Sequence, residues 1–260
     1  MNLKGKTFIV TGVRRIGKTV AIEMAKQGAN LAVTHFPTKE DQRDAEFVCK
    51  ECENLGIELA SFPADLSKET DIKELIYKTT QTFGRLDGLV HMASPYPKTT
   101  LGEITQESFD KIMNTIAGSA LLLGQAVSQE IQKNTGEDVV AAGKVVGKIK
   151  GKLIYFSDWS VLRKPDPNYS VYNAAKAAIN AITVSLAKGL APAITVNAVA
   201  PGPILASPDL TEKEDQESMA TTPLAHWGGA EEVAKAVLYL LDADFVTGSV
   251  LLVDGGRSIA

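Results

Sequence analysis

The sequence predicts an α/β protein with a single domain, built on a doubly wound parallel sheet that helices cover on both faces. Short apolar runs rich in β-branched residues alternate with segments of helical periodicity along the 260 residues. The spacing of this alternation is typical of right-handed βαβ units. A turn with two glycines and two arginines joins the first apolar run to the first helical segment. No linker-like segment divides the chain, so one domain over residues 1–260 is expected.

Seven apolar runs are predicted to be strands. They are 7–10, 31–34, 57–62, 86–91, 153–156, 194–199 and 250–253. Helical spacing of apolar residues predicts helices over 17–27, 39–55, 67–83, 106–133, 171–188 and 231–241. Gly28 and Gly84 are expected to end the first and third helices, and Ser67 is expected to cap the start of the third.

Two stretches interrupt the alternation. Residues 134–150 separate a helix from its strand by more than the usual few residues, and they contain no motif that predicts a function. Residues 200–227 are rich in proline and acidic residues and follow the carboxyl end of a strand, where ligands bind in open α/β sheets. This second stretch is predicted to be either a mobile substrate cover or a plain surface loop.

The composition excludes several classes of protein. With 27 basic and 31 acidic residues, the net charge of -4 argues against a general nucleic-acid-binding surface. No apolar run approaches the about 20 residues that span a bilayer, and no secretion signal is recognisable, so a cytoplasmic protein is expected. Cys49 and Cys52 have no further cysteine or nearby histidine to complete a metal site. They are interpreted as ordinary helix cysteines rather than a redox pair, and no metal is expected.

The glycine-rich turn, TGVRRIGK, follows directly on the first strand. Gly12, Ile16 and Gly17 are expected to bring backbone N–H groups close to a phosphate at the start of the helix. Arg14 and Arg15 add two guanidinium groups, which favour an additional phosphate such as that of NADP.

The end of the second strand also favours NADP(H). Proteins that select NAD usually place an acid here to bond the ribose 2′-hydroxyl. This chain reads Thr34, His35 and Phe36, and its first acid is Glu40. The sequence therefore predicts that NADP(H) is the cofactor, with His35 beside the 2′-phosphate and no acid competing with that phosphate.

Tyr172 and Lys176 lie four residues apart in YNAAK, where an alanine-rich helix is predicted. Residues at this spacing share one face of a helix. A lysine ammonium beside a phenol stabilises the phenolate, which predicts a Tyr172 pKa below the usual value of about 10. Such a tyrosine can give a proton to a carbonyl that receives a hydride, or take one from an alcohol in reverse.

Together, these segments resemble the short-chain dehydrogenase/reductase family over nearly the whole chain. The resemblance rests on TGVRRIG, ADLS, LIYFSDWS, NYSVYNAAKAA, TVNAVAPGPIL and VTGSVLLVDGG. It implies a seven-stranded Rossmann sheet and hydride transfer to or from NAD(P), usually in a homotetramer. Tyr172 would be the catalytic acid/base, and Lys176 would hold the nicotinamide ribose and tune Tyr172.

The same resemblance implies further cofactor contacts. It assigns seven more residues to the cofactor site: Asp65, Leu66, Ala93, Ser94, Pro201, Gly202 and Ile204. Asp65 would contact the adenine, and Ala93 and Ser94 stand where the family has its NAG motif. The last three would flank the nicotinamide.

Several positions depart from the family pattern. The turn is one residue shorter than TGxxxGxG and has Arg15 in place of the middle glycine, as in the pteridine reductase-like branch. His91 and Met92 replace both asparagines of the NNAG motif. Ile116 stands where the family has a helix asparagine, and Asn114 lies two residues early, about 200° around a helix. The asparagine that holds a water in the family's proton relay is therefore missing.

The catalytic serine of the family also has no direct counterpart. Asp158 is the best match in the segment SDWS, as in pteridine reductases, and Ser157 and Ser160 are close alternatives. An aspartate beside Tyr172 could orient the substrate or share in proton delivery.

The leading interpretation is an NADPH-dependent reductase of a carbonyl or a pterin-like C=N group, with a pteridine reductase-like or ketoacyl reductase-like site. The alternative is a degenerate family member that binds NADP(H) without turnover, as a sensor or structural subunit. The missing asparagines favour the alternative, whereas Tyr172 and Lys176 favour the enzyme. Four aromatic residues are expected near the substrate: Tyr96, Trp159, Tyr169 and Trp227.

A homotetramer is the expected assembly. One of its interfaces is expected to use an apolar stripe on the long helix: Ile112, Ile116, Leu123 and Val127.

Overall fold

The computed structural model describes residues 1–206 and 211–260 of the chain. Its strands are β1 (Thr7–Thr11), β2 (Asn30–His35), β3 (Leu59–Pro63), β4 (Gly88–His91), β5 (Glu137–Ala141), β6 (Lys144–Ile149), β7 (Gly151–Phe156), β8 (Ile194–Pro201) and β9 (Val250–Val253). Its α-helices are α1 (Ile16–Lys26), α2 (Lys39–Glu53), α3 (Glu69–Phe83), α4 (Gln106–Met113), α5 (Ser119–Ile131), α6 (Ser160–Arg163), α7 (Ser170–Leu190), α8 (Glu212–Ala220) and α9 (Ala230–Asp242).

Seven strands form one parallel sheet in the order β3-β2-β1-β4-β7-β8-β9. Helices cover both of its faces, so successive residues of a central strand point into two different apolar clusters. Along β1, Phe8 and Val10 contribute to one cluster and Ile9 to the other. The predicted doubly wound Rossmann fold is confirmed. Within the described residues, no helix is both long and apolar enough to cross a membrane.

Three residues were predicted to end or cap a helix, and two of these predictions are confirmed. Gly28 follows the end of α1 with a φ of 86°, and Gly84 ends α3 with a φ of 69°. The expected cap at Ser67 is wrong, because α3 begins at Glu69 after Lys68. Ser67 instead donates its hydroxyl to Asp65 Oδ1 at 2.7 Å. The short polar side chains here bond to each other before the helix starts.

The predicted long helix over 106–133 is interrupted. A π-helical turn over Asn114–Gly118 separates α4 from α5. Ile116 lies in this turn with its side chain in the core, and Asn114 is exposed. As expected, Asn114 therefore does not take the position of the family's helix asparagine.

Residues 134–150 form a β-hairpin, which the sequence analysis missed. Strands β5 and β6 pair antiparallel, and Ala142 and Gly143 between them have positive φ values of 49° and 75°. Such a two-residue turn matches the twist of a hairpin. Glu137 bonds Lys6 at 2.8 Å, just before β1 begins. The hairpin thus lies at the amino ends of the strands, away from the edge where ligands are expected.

The stretch 200–227 contains the end of β8 and the helix α8. Residues 207–210 lie outside the described residues. A substrate cover over this stretch stays a prediction.

Candidate active site

A cavity of about 360 Å³ opens at the carboxyl ends of β1, β4, β7 and β8. Ligands bind at this edge in doubly wound sheets, where the strand order reverses between β1 and β4. Most of the predicted site residues line the cavity: Gly12, Arg14, Arg15, Ile16, Gly17, Ser94, Asp158, Tyr172, Lys176, Pro201, Gly202 and Ile204. The fold therefore brings together segments that lie as far apart in the chain as Gly12 and Ile204.

Four predicted cofactor residues do not line this cavity: His35, Asp65, Leu66 and Ala93. The Leu66 side chain is buried in an apolar cluster, so its expected contact can come only from its backbone. His35 Nδ1 lies 2.8 Å from the Phe36 carbonyl oxygen. Burial raises the pKa of Asp65, but hydrogen bonds from Ser67 and Lys68 outweigh it and keep that pKa below its usual value. Asp65 is thus an anion held within its own loop.

Glycine is required twice in the turn between β1 and α1. Gly12 has a φ of 72°, and a Cβ on it would lie 2.7 Å from the backbone nitrogen of Ala93. A Cβ on Gly17 would lie 2.0 Å from the carbonyl oxygen of Gly12. No side chain caps the start of α1, and no acidic residue lies in its first turn. The turn therefore offers a close backbone approach and a positive helix end to a phosphate.

Arg15 crosses the mouth of the cavity. Its backbone has a positive φ of 47°, and its guanidinium donates to the carbonyl oxygens of Leu205 at 3.1 Å and Ala206 at 3.0 Å. The arginine thus connects the glycine-rich turn to the segment that follows β8.

Arg14 points toward α2, and it is surrounded by acids that the sequence analysis did not place beside the turn. The guanidinium contacts the carboxylate of Glu40 and lies 3.4 Å from that of Asp41 and 3.3 Å from that of Asp44. These acids come too late in the sequence to belong to the end of β2. The first two turns of α2 bring them next to the glycine-rich turn.

Tyr172 and Lys176 share the buried face of α7, as their spacing predicted. The Tyr172 hydroxyl donates to Asp158 Oδ2 at 2.8 Å. Asp158 Oδ1 accepts from the backbone nitrogen of Ser160 at 2.8 Å and from its hydroxyl at 2.6 Å. The Ser157 hydroxyl donates instead to the Lys176 carbonyl oxygen at 3.4 Å. Of the three alternatives for the serine position, Asp158 is the one that contacts Tyr172.

The predicted lowering of the Tyr172 pKa is wrong. Burial of the phenol raises the Tyr172 pKa well above 10, and the adjacent charge of Asp158 and the hydrogen bond to it raise it further. Lys176 lies under the ring, with Nζ 5.7 Å from the ring centroid, and donates to the Phe156 carbonyl oxygen at 2.7 Å. Burial lowers the pKa of Lys176 to about 8, although Asp158 acts in the opposite direction. Tyr172 is thus held as a neutral phenol that can donate a proton.

Aromatic side chains form one wall of the cavity. Tyr96 stacks on Tyr169 with ring centroids 4.1 Å apart and meets the Tyr172 ring edge-on at 4.6 Å. Tyr96 and Trp227 line the cavity, and the Tyr96 side chain is 59% exposed. Trp159 instead lies under the Arg257 guanidinium, 5.6 Å from its ring centroid. Exposed aromatic surface of Tyr96 is therefore available beside the Tyr172 ring.

A buried chain of hydrogen bonds at His91 was missed by the sequence analysis. Thr11 Oγ1 accepts from the backbone nitrogens of Met92 and Ala93, each at 3.1 Å, so its own proton points to His91 Nδ1 at 2.9 Å. His91 Nε2 then donates to Ser119 Oγ at 3.0 Å. Burial and the nearby Lys176 lower the pKa of His91 to about 3, so the ring is neutral. These hydrogen bonds hold the loop after β4 against β1 and the start of α5.

Comparison with known proteins decides the family. A family model described as Enoyl-(Acyl carrier protein) reductase matches residues 12–258. The chain belongs to the short-chain dehydrogenase/reductase family. A 3-oxoacyl-(acyl-carrier-protein) reductase, FabG, from Thermotoga maritima is 30% identical to this short-chain dehydrogenase/reductase over 266 residues, covering 100% of each chain.

Solved structures of the family superpose on nearly the entire chain. A blue fluorescent protein from a metagenomic library, solved in complex with NADPH, has a TM-score of 0.86 and 28% identity over 99% of this chain and 100% of its own. A short-chain dehydrogenase from Burkholderia cenocepacia, in complex with NADP, has a TM-score of 0.84 and 27% identity over 99% of each chain. The chain is therefore an oxidoreductase of the short-chain type.

Proposed function

We propose that the protein is an NADP(H)-dependent reductase that transfers a hydride to a carbonyl or to a pterin-like C=N group, with Tyr172 as proton donor. The observation that carries the proposal is the bond between Tyr172 and Asp158, 2.8 Å long, with Lys176 beneath the same ring. These groups lie in the cavity that also contains the phosphate-binding turn. The proposed proton donor and the turn that would bind the cofactor thus line the same cavity.

The residues of the cavity fit a dinucleotide. Gly12 and Gly17 leave room that a Cβ would fill, and a Cβ on Gly202 would lie 2.5 Å from the Asp254 side chain. Arg15 and the uncapped start of α1 would hold the pyrophosphate, Arg14 and His35 the 2′-phosphate, and Lys176 the nicotinamide ribose. The two solved relatives with NADPH and NADP support this choice of cofactor. When bound, the nicotinamide supplies the hydride.

Tyr172 supplies the proton in this scheme. As the hydride adds to the carbon, the electron pair of the double bond moves to the oxygen or nitrogen, which takes the proton from the Tyr172 hydroxyl. The ammonium of Lys176 stabilises the resulting phenolate. The hydroxyl has one proton, which points to Asp158 Oδ2 before the reaction, so this proton turns from Asp158 to the substrate for the transfer. With a C=N group the proton can be transferred before the hydride, and the negative charge of Asp158 then stabilises the protonated nitrogen until the hydride neutralises it, whereas the same charge opposes an alkoxide. It therefore favours a C=N substrate over a simple ketone, and Tyr96 offers a surface for a flat ring.

The proposal is tested by measuring NADPH oxidation across a panel of pterins, cyclic imines and 3-oxoacyl thioesters. We expect turnover with at least one member, faster with flat C=N substrates, and matched formation of the reduced product. Tight binding of NADPH with no reduction of any panel member would contradict the proposal and favour the non-catalytic alternative.

The two arginines of the turn are expected to affect the two cofactors differently. Arg14 adjoins α2, which follows the strand end where the adenosine ribose lies in this fold, so Arg14→Ala should weaken NADPH about tenfold and NADH little. Arg15 lies on the other side of the turn, so Arg15→Ala should weaken both by a similar factor. Fluorescence titration of both dinucleotides measures the effects. Equal weakening of NADPH and NADH by Arg14→Ala would contradict the assignment.

We also infer a homotetramer in the cytoplasm, but not with the interface that the sequence suggested. Ile112, Ile116, Leu123 and Val127 are all buried inside the protomer. The apolar side chains that remain exposed on α4, α5 and α7 include Phe109, Leu121 and Val184. Light scattering at micromolar concentration should give four times the 27.7 kDa of the chain, and Leu121→Glu should lower that mass. A monomer in the parent protein would contradict the assembly.

A further inference from the structure

The acids around Arg14 form a compact cluster at the edge of the cavity. Glu40, Asp41 and Asp44 all approach its guanidinium, and Asp44 also pairs with Lys18 Nζ at 2.5 Å. Three carboxylates thus face two cations. The side chains of Asp41 and Asp44 are about four-fifths buried, at 19% and 21% exposure, whereas that of Glu40 is 71% exposed.

The start of α2 fixes this cluster. Thr38 precedes the helix, and its Oγ1 accepts from the backbone nitrogen of Asp41 at 3.2 Å while its hydroxyl donates to the Asp41 carboxylate at 2.5 Å. Glu40 and Asp44 are four residues apart and therefore lie on the same face of α2. One helix therefore places all three acids beside Arg14. Because Thr38 caps this helix, it fixes where the helix starts and thus the positions of the acids.

We propose that Glu40, Asp41 and Asp44 determine the cofactor preference by competing with the 2′-phosphate of NADPH for Arg14. This inference rests on the proposed NADP(H) function. A phosphate that binds Arg14 must replace carboxylate contacts that the guanidinium already has, and it must approach an excess of negative charge. NADH lacks that phosphate and does not meet this competition. The cluster therefore reduces the preference for NADPH over NADH that Arg14 creates.

The opposite role is the main rival. If the carboxylates served only to hold the Arg14 side chain in position for the phosphate, their removal would weaken NADPH instead of strengthening it. The sign of the change in NADPH affinity therefore separates competition from positioning, and NADH reports any effect that is common to both cofactors.

The test is a titration of the full-length protein with NADPH, NADH, 2′,5′-ADP and 5′-AMP, for the parent and for Glu40→Gln and Asp44→Asn. Each variant removes one carboxylate charge with little change in size. Glu53→Gln is the matched control, because it removes the same charge at the far end of α2. Thermal denaturation of each variant establishes that it is folded.

We expect NADPH and 2′,5′-ADP to bind about three- to tenfold more tightly to Glu40→Gln and Asp44→Asn, with NADH and 5′-AMP nearly unchanged. The gain should shrink as salt is raised from 0.05 to 0.5 M, since the cluster is partly exposed. Unchanged or weaker NADPH binding in both variants would overturn the inference alone. A parent that binds neither dinucleotide would overturn the proposed function and this inference with it.

Discussion

Replacing Tyr172 with phenylalanine is expected to lower turnover by about 10²–10⁴ while NADPH binding stays within about twofold of the parent. The change removes the hydroxyl that donates to Asp158 and keeps the ring that packs against Tyr96. Folding should survive, because the lost contact is one hydrogen bond in a cavity wall. Steady-state NADPH oxidation and a separate binding titration measure the two quantities.

Tyr169→Phe is the matched control for this experiment. It removes the hydroxyl of a neighbouring tyrosine in the same aromatic cluster, and it leaves the hydrogen bond between Tyr172 and Asp158 in place. Turnover near that of the parent in Tyr172→Phe, on a substrate that the parent clearly reduces, would remove Tyr172 as the proton donor.

Replacing Lys176 with methionine is expected to damage both cofactor binding and turnover. Methionine retains most of the length and the apolar stem of the side chain but removes the ammonium that lies beneath the Tyr172 ring. The loss of a charged hydrogen bond to the ribose should weaken NADPH about ten- to hundredfold. Turnover at saturating NADPH should also fall by about tenfold or more, because the phenolate loses its stabilising charge.

The two effects of Lys176→Met are separable by titrating the cofactor before measuring turnover. Lys188→Met, at the last turn of the same helix, is the control for loss of a positive charge on α7. Full turnover at saturating NADPH would show that Lys176 holds the ribose only and does not assist Tyr172.

The sheet was predictable because its determinants are local. The spacing of apolar residues along the chain reveals where strands and helices alternate. Every strand of the seven-stranded sheet therefore overlaps a predicted run, and its ends differ from those of the run by at most two residues. The π-helical turn at Asn114–Gly118 was not visible, because it leaves the surrounding apolar spacing nearly helical. The β5–β6 hairpin was missed because Val140, Val145 and Val146 are exposed, so burial does not explain their pattern.

The site residues were predictable in identity but not in electrostatics. The spacing of Tyr172 and Lys176 placed them on one helix face, and the glycines of the turn identified the cavity. The direction of the Tyr172 pKa depends on Asp158, whose contact with the phenol is tertiary. The pairing of Arg14 with acids of α2 is equally non-local. The sequence therefore indicated which side chains belong to the site, whereas tertiary packing determined which of their charged groups contact one another.

The central claim is that protonated Tyr172 donates the proton and that charged Lys176 assists it. The pH dependence of kcat/KM for the parent protein, on any panel substrate that the parent reduces, tests this claim most directly. Tyr172 keeps its proton over the whole range because its pKa is raised, so a loss of rate within this range does not come from ionisation of Tyr172. Lys176 is charged below its pKa of about 8 and loses the charge above it. We expect kcat/KM to be level from pH 6 to 7 and to fall as pH rises through about 8. A rate of substrate reduction that rises with pH over this range would contradict it, because that result requires Tyr172 to act after losing its proton.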